Sequence, residues 1–167
     1  MKKKRKQAAP FVFEEGKEKE LQLKLETYCA YTERCPADVT SKLREWKVPR
    51  ELWEGCIHEL KALRFLSEER YGEAFARGKF KLKSWGKNKI KAAMQAKSVD
   101  ATVISDAIDQ IDESDYRAKL LGLLEKKNAL LKEEDMQKRR EKLFRFAAQK
   151  GYESKLIFEC MQEVLKA

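Results

Sequence analysis

Glycine and proline are scarce, seven and three among 167 residues. With few chain breakers and many Lys, Glu, Ala and Leu side chains that lose little entropy in a helix, a turn-rich β fold is excluded and an all-α protein is predicted. Histidine occurs once, at His58, and the four cysteines, Cys29, Cys35, Cys56 and Cys160, contain no CxxC pair, which leaves no zinc-ligand spacing. They read as reduced thiols of a cytosolic protein, small core residues beside a helix-surface histidine. A Cys56–His58 nucleophile pair is excluded because positions two apart on a helix face different sides. No apolar run approaches the roughly 20 residues that span a bilayer. The basic N-terminus leads into Gln7, Ala8, Ala9 and Pro10, where an export signal would be apolar. A soluble cytoplasmic protein with no membrane association and no cofactor is expected.

What is present is charge. Lys and Arg number 37 against 28 Asp and Glu, a formal net charge of +9, and the 43% apolar fraction still suffices for a folded core. The surplus is concentrated. Lys2, Lys3, Lys4, Arg5 and Lys6 form a tail that nothing apolar holds down before Phe11. Between Arg77 and Lys97 stand eight more basic residues and no acid, while the remainder of the chain is mildly negative. Surface helices usually mix signs because opposite charges at i and i+4 stabilise them and like charges repel. Tolerating that repulsion points to an anionic partner.

The chain also repeats itself. Val39, Leu43, Val48, Leu52, Ile57 and Leu60 recur 51 residues on as Ile90, Met94, Val99, Val103, Ile108 and Ile111, and 53 residues further as Leu143, Ala147, Tyr152, Leu156, Met161 and Val164. Each set reads as two helices joined by a turn at Lys47, Ser98 or Gly151, of which only Gly151 is an ideal helix stop. A longer helix precedes each pair, opening at Ser67 or Asp112 as N-cap with acids in its first turn. The last unit has eight more residues before its helix pair, room for two extra helical turns around Leu120, Leu124, Leu130 and Leu131. The predicted architecture is an elongated array of three tandem three-helix repeats, residues 17–66, 67–111 and 112–167, behind a basic tail of residues 1–16. Units this small should stack and share apolar faces. In the helix from Glu68 to Lys83, Tyr71, Phe75, Gly78 and Leu82 fall on one face and Phe80 on the opposite one, giving two apolar faces, of which the Phe80 face should be buried between units.

The stretch Phe65-Leu66-Ser67-Glu68-Glu69-Arg70-Tyr71, followed by Phe75, Arg77-Gly78-Lys79-Phe80, Trp85-Gly86 and Lys89-Ile90, closely resembles the middle repeat of the RecX family of bacterial recombinase regulators. Arg34 and Pro36 resemble that family's first repeat, and the three-unit layout from about Lys17 onward is similar to the family's. Ser98 departs from the pattern where the family often has Gly, and the acid-rich loop at Glu133, Glu134 and Asp135 is a local elaboration. The resemblance implies a non-catalytic regulator, monomeric, that binds the RecA nucleoprotein filament in its helical groove and restrains its ATPase and strand exchange. Weak non-specific binding to nucleic acid accompanies that expectation.

The candidate binding residues form two patches. Arg77, Lys79, Lys81 and Lys83 come from the long middle helix, and Lys87, Lys89 and Lys91 follow Trp85-Gly86, so all surround one helix junction. Lys138, Arg139, Arg140, Lys142, Arg145 and Lys150 occupy a similar region of the last unit, and stacking should align both into a stripe. Such a stripe suits phosphates or an acidic protein edge. Trp85 either stacks on a base or partner, worth about 1–3 kcal/mol, or packs to fix its turn.

The main competing reading is a helix-turn-helix-like protein that binds DNA directly. It fares poorly: the helix from Asp100 to Ile111 carries Asp100, Asp106 and Asp109 and no base, and the last helix of the final unit opposes Glu153, Glu159 and Glu163 to Lys155 and Lys166. The acids Asp100, Asp106, Asp109, Asp112, Glu113 and Asp115 superficially suggest a metal or nuclease site, but Asp100, Asp112 and Asp115 are better explained as cap and junction residues.

Overall fold

The computed structural model describes residues 11–166, so the basic tail from Lys2 to Lys6 lies outside the described residues. Those residues form α1 (Glu18–Tyr31), α2 (Pro36–Glu45), a 3-10 turn (Arg50–Leu52), α3 (Trp53–Ala62), α4 (Glu68–Lys83), α5 (Lys87–Gln95), α6 (Ala101–Asp109), α7 (Glu113–Leu130), α8 (Met136–Lys150) and α9 (Ser154–Val164), with no strand among them. The fold is all-α and built of three tandem three-helix repeats. It divides into two compact units, one reaching to Glu68 and one from Glu69 onward.

In the first unit Leu21, Leu25 and Cys29 of α1 bury against Val39 and Leu43 of α2 and against Trp46, Val48, Leu60 and Leu66. Pro36 opens α2, where its missing N–H costs nothing, and the Asp38 carboxylate accepts the Cys35 N–H at 3.2 Å. The core reaches upstream of Lys17, because Phe11 sets its ring edge-on to Trp46 at 5.1 Å and the Phe13 N–H donates to the Trp46 carbonyl at 2.9 Å.

The second unit holds the other two repeats. Their apolar registers behave alike: Ile90, Met94 and Val99 are buried as are Leu143, Ala147 and Tyr152, and Ile111 is buried as is Val164. The turns obey the same register. Lys47, Ser98 and Gly151 all take positive φ, at 58°, 55° and 93°, so all three repeats use one left-handed stop although only one offers glycine. Ile104, Ala107 and Ile157, outside the repeated apolar set, are also deeply buried, and so is Cys160, as its reading as a core thiol implies. A helix packed between two neighbours buries more than one narrow stripe.

Two sequence expectations are corrected. Helix α4 buries Tyr71 on one side and Phe80 on the opposite one, with Gly72 and Ala76 between them, but Leu82, expected on the Tyr71 face, is 82% exposed. The extra length of the last unit does not go into α7 alone. Helix α7 has 18 residues against 16 in α4, whereas α8 has 15 against 9 in α5, and residues 131–135 are non-helical.

The two repeats of this unit are joined backbone to backbone. The Gly86 N–H donates to the Lys150 carbonyl at 2.8 Å and the Asn88 N–H to the Gly151 carbonyl at 3.1 Å. A Cβ on Gly86 would stand 2.3 Å from the Gly151 carbonyl, so only glycine permits this approach. Phe80 of α4, Tyr116 of α7 and Tyr152 stack in succession at 5.8 Å and 4.9 Å, which buries Phe80 between the repeats. The Tyr116 hydroxyl accepts the Lys87 N–H at 2.8 Å and donates to Glu153 at 2.7 Å.

Candidate functional site

The α4–α5 junction gathers the first seven basic candidates, and the structure gives them different roles. Trp85 is half-buried, with the ammonium groups of Lys79 and Lys89 each 4.9 Å from its ring centre. Each such contact is worth about 0.5–1 kcal/mol where water reaches it. Lys79 also lies over Phe75 at 5.0 Å, and Lys89 donates to the Gln149 carbonyl at 3.1 Å. Lys87 is tied to Glu113 by an ion pair and lies 5.0 Å from the Tyr116 ring centre. Lys87 and Lys89 therefore brace the joint between repeats, and Lys79 packs on the aromatic rings of its own repeat. Arg77, Lys81, Lys83 and Lys91 are exposed and make no ion pair among the described residues.

The α8 candidates divide in the same way. Arg139 is spent on the α7–α8 connection, donating to the Glu133 carbonyl at 2.9 Å, the Asn128 side-chain oxygen at 2.8 Å and the Leu131 carbonyl at 3.2 Å. Lys142 pairs with Glu133 at 2.7 Å, which lowers the Glu133 carboxyl below its usual range. Lys138, Arg140 and Arg145 are exposed and carry no ion pair among the described residues. The acid-rich loop is thus the brace of this region, and its Asp135 caps α8 by accepting from the Gln137 and Lys138 N–H groups.

The end of α8 that abuts the middle junction is Lys150, whose carbonyl Gly86 engages. At a rise of about 1.5 Å per residue, Arg140 lies roughly 15 Å from that contact along the helix and Arg145 about half as far. Leu82, between Lys81 and Lys83, is the apolar residue the sequence reading misplaced: helical spacing put it with Tyr71, but it projects into solvent amid the free cations.

Of the acids, Asp100 and Asp112 cap helices and Glu113 pairs with Lys87. Asp100 accepts from the Thr102 N–H at 2.8 Å and Asp112 from the Asp115 N–H at 2.9 Å, and both carboxyls are held below the ordinary range by hydrogen bonds, chiefly from the Thr102 and Ser114 hydroxyls. Glu159 and Glu163 of α9 face Arg117 of α7. No group of three or more His, Cys, Asp or Glu among the described residues is arranged to hold a metal ion. No described helix is long and apolar enough to cross a membrane. None of the four cysteines is in a disulfide, and burial raises the Cys29 thiol to about 11.

Two family models match the second unit: the RecX second three-helix domain over residues 67–108 and the RecX third three-helix domain over residues 114–161. A protein named regulatory protein RecX from Clostridium perfringens is 32% identical over 81% of this chain and 62% of its own length. One of the same name from Oceanobacillus iheyensis is 25% identical over 82% of this chain and 50% of its own. The chain therefore spans between half and about two thirds of the length of these relatives. The crystal structure of RecX from Lactobacillus salivarius shares the fold, with a TM-score of 0.78 at 20% identity, over 89% of this chain and 97% of that one. A second crystal structure, of regulatory protein RecX, gives a TM-score of 0.80 at 18% identity over 87% of this chain and 73% of that one.

Proposed function

Because the chain belongs to the RecX family, we propose that it regulates homologous recombination by binding the RecA nucleoprotein filament in its helical groove and inhibiting ATP hydrolysis and strand exchange. It acts in the cytoplasm as a monomer without catalysing a reaction of its own. The observation that carries this reading is that seven of the candidate cations, Arg77, Lys81, Lys83, Lys91, Lys138, Arg140 and Arg145, are exposed and make no ion pair among the described residues. A chain that pairs Lys87 and Lys142 with its own carboxylates yet leaves these seven bare holds them for an external anion, either DNA phosphates or the acidic edge of a protein filament. The repeat boundaries at residues 17, 67 and 112 belong to the same proposal, with successive repeats meeting successive filament subunits so that weak contacts add.

The test is a coupled ATPase titration of RecA on single-stranded DNA, run beside binding to bare single-stranded DNA at the same salt. The full chain should inhibit at amounts below one per RecA subunit. Replacing Arg77, Lys81, Lys83 and Lys91 together by Ala should raise the half-inhibitory concentration at least about tenfold and flatten its salt dependence, with an unchanged helical CD signal. Lys79 is left in place because it packs on Trp85, and Lys87 because it braces the repeat joint. Inhibition only at stoichiometric coating of bare DNA would replace this reading with direct DNA binding.

A further inference from the structure

Between α8 and α9 runs an open groove of about 820 Å³. Its floor is apolar, made by Phe144, Phe158, Met161 and Leu165, and Arg140 and Arg145 stand on its rim. The Phe144 and Phe158 rings stack at 5.1 Å, and Phe158 is 53% exposed. Glu141, the acid on the same rim, accepts from Gln137 at 3.1 Å, and neither arginine makes an ion pair among the described residues. An exposed phenyl alone is ordinary. A stacked pair in a groove beneath two unpaired guanidinium groups is not.

The internal repeat supplies a control. The 53-residue shift that superimposes the middle and last repeats sets Lys91 on Phe144 and Ser105 on Phe158. The corresponding cleft between α5 and α6 is lined by Lys87, Lys91, Ser105 and Ile108, and it receives Glu153 from the start of α9. The same scaffold thus folds with polar residues at these positions, so the phenyl rings are not required by the three-helix unit.

We propose that the α8–α9 groove is a docking site for an acidic amphipathic helix of a partner protein, whose apolar side chains seat on Phe144 and Phe158 while its carboxylates face Arg140 and Arg145. Charge complementarity selects this occupant: the rim is cationic and unpaired, the floor apolar, and helix-in-groove binding places apolar anchors at i, i+3 or i+4, and i+7 with charges alongside. Single-stranded nucleic acid fits less well. The two rings cover each other's faces and the floor continues in Met161 and Leu165, whereas base stacking needs open aromatic faces along a basic track.

The probe is a fluorescein-labelled synthetic peptide helix with leucines at i, i+4 and i+7 flanked by glutamates, titrated with the full chain and read by anisotropy. Binding should saturate, and the same peptide with lysines for glutamates should bind at least about tenfold more weakly, a comparison that leaves the protein unaltered. Phe158→Ser and Phe144→Lys import the middle repeat's own residues and should each weaken binding by about tenfold or more with an unchanged thermal melt, as should Arg140→Glu with Arg145→Glu. Indifference to the peptide's charge, or retention of binding by Phe158→Ser and Phe144→Lys, overturns the proposal. So does a concentration-dependent dimer in sedimentation that Phe158→Ser abolishes, which would make a second copy the occupant. Binding of oligothymidine that is lost on Phe158→Ser, with no peptide binding, would assign the groove to nucleic acid. No recombinase enters the measurement, so its outcome is separate from that of the filament reading.

Discussion

Ser98 occupies a left-handed backbone position that its repeat counterpart Gly151 fills without strain. A side chain there costs about 1–2 kcal/mol, of which the greater freedom of an unfolded glycine returns part. Ser98→Gly should therefore stabilise the protein by about 0.5–1 kcal/mol, read as a shift of the urea midpoint at constant slope. Buried titratable groups act at the same scale. Burial raises the Cys29 thiol from 9.0 to about 11 and the Tyr152 hydroxyl from 10.0 to about 12, and it raises the Tyr116 hydroxyl as well. A group whose folded pKa lies above its unfolded one contributes its full stability below the unfolded value and loses it as pH rises toward the folded value. Stability should accordingly decline from about pH 9 upward toward pH 12, and Cys29→Ala should lose less of its urea midpoint than the wild type between about pH 8 and pH 10.5.

Among the helices, the decisive contact is the meeting of the α5 start with the α8 end. Gly86 brings two backbones to a distance that no Cβ permits, and Tyr116 closes the same joint by serving both the Lys87 N–H and Glu153. Gly86→Ala should cost about 1–3 kcal/mol, the range for overpacking, in the cooperative melt. Tyr116→Phe keeps the ring stack but strands a partly buried N–H and should cost about 1–2 kcal/mol in the same measurement. Element type and approximate length were legible in the sequence for α4, which starts and ends where the apolar and cap residues placed it, because helix period and capping are local. The redistribution of the extra residues from α7 to α8 was not. Helix lengths there follow from where Asp135 caps and from Arg139 closing the loop on Asn128, Leu131 and Glu133.

For the molecule as a whole, the second and third repeats share one core while the first has its own. A fragment of residues 67–167 should fold with a cooperative thermal melt followed by CD. A fragment ending at Ile111 should lose that cooperativity, since Phe80 then lacks Tyr116 and Gly86 lacks the Lys150 carbonyl. An all-α fold, the apolar register of the first helix in each pair and the equivalent turns at Lys47, Ser98 and Gly151 followed from the residues alone, because helical period, backbone entropy and turn stereochemistry act over a few neighbouring positions. Composition and position along the chain could gather thirteen candidate site residues but could not tell a binding cation from a brace. Lys87 meets Glu113 across 26 positions and Lys89 meets the Gln149 carbonyl across 60. Which lysines are spent on the protein itself, and which stay bare in water, was decided only when the repeats packed, since a charge finds its partner through space and not along the chain.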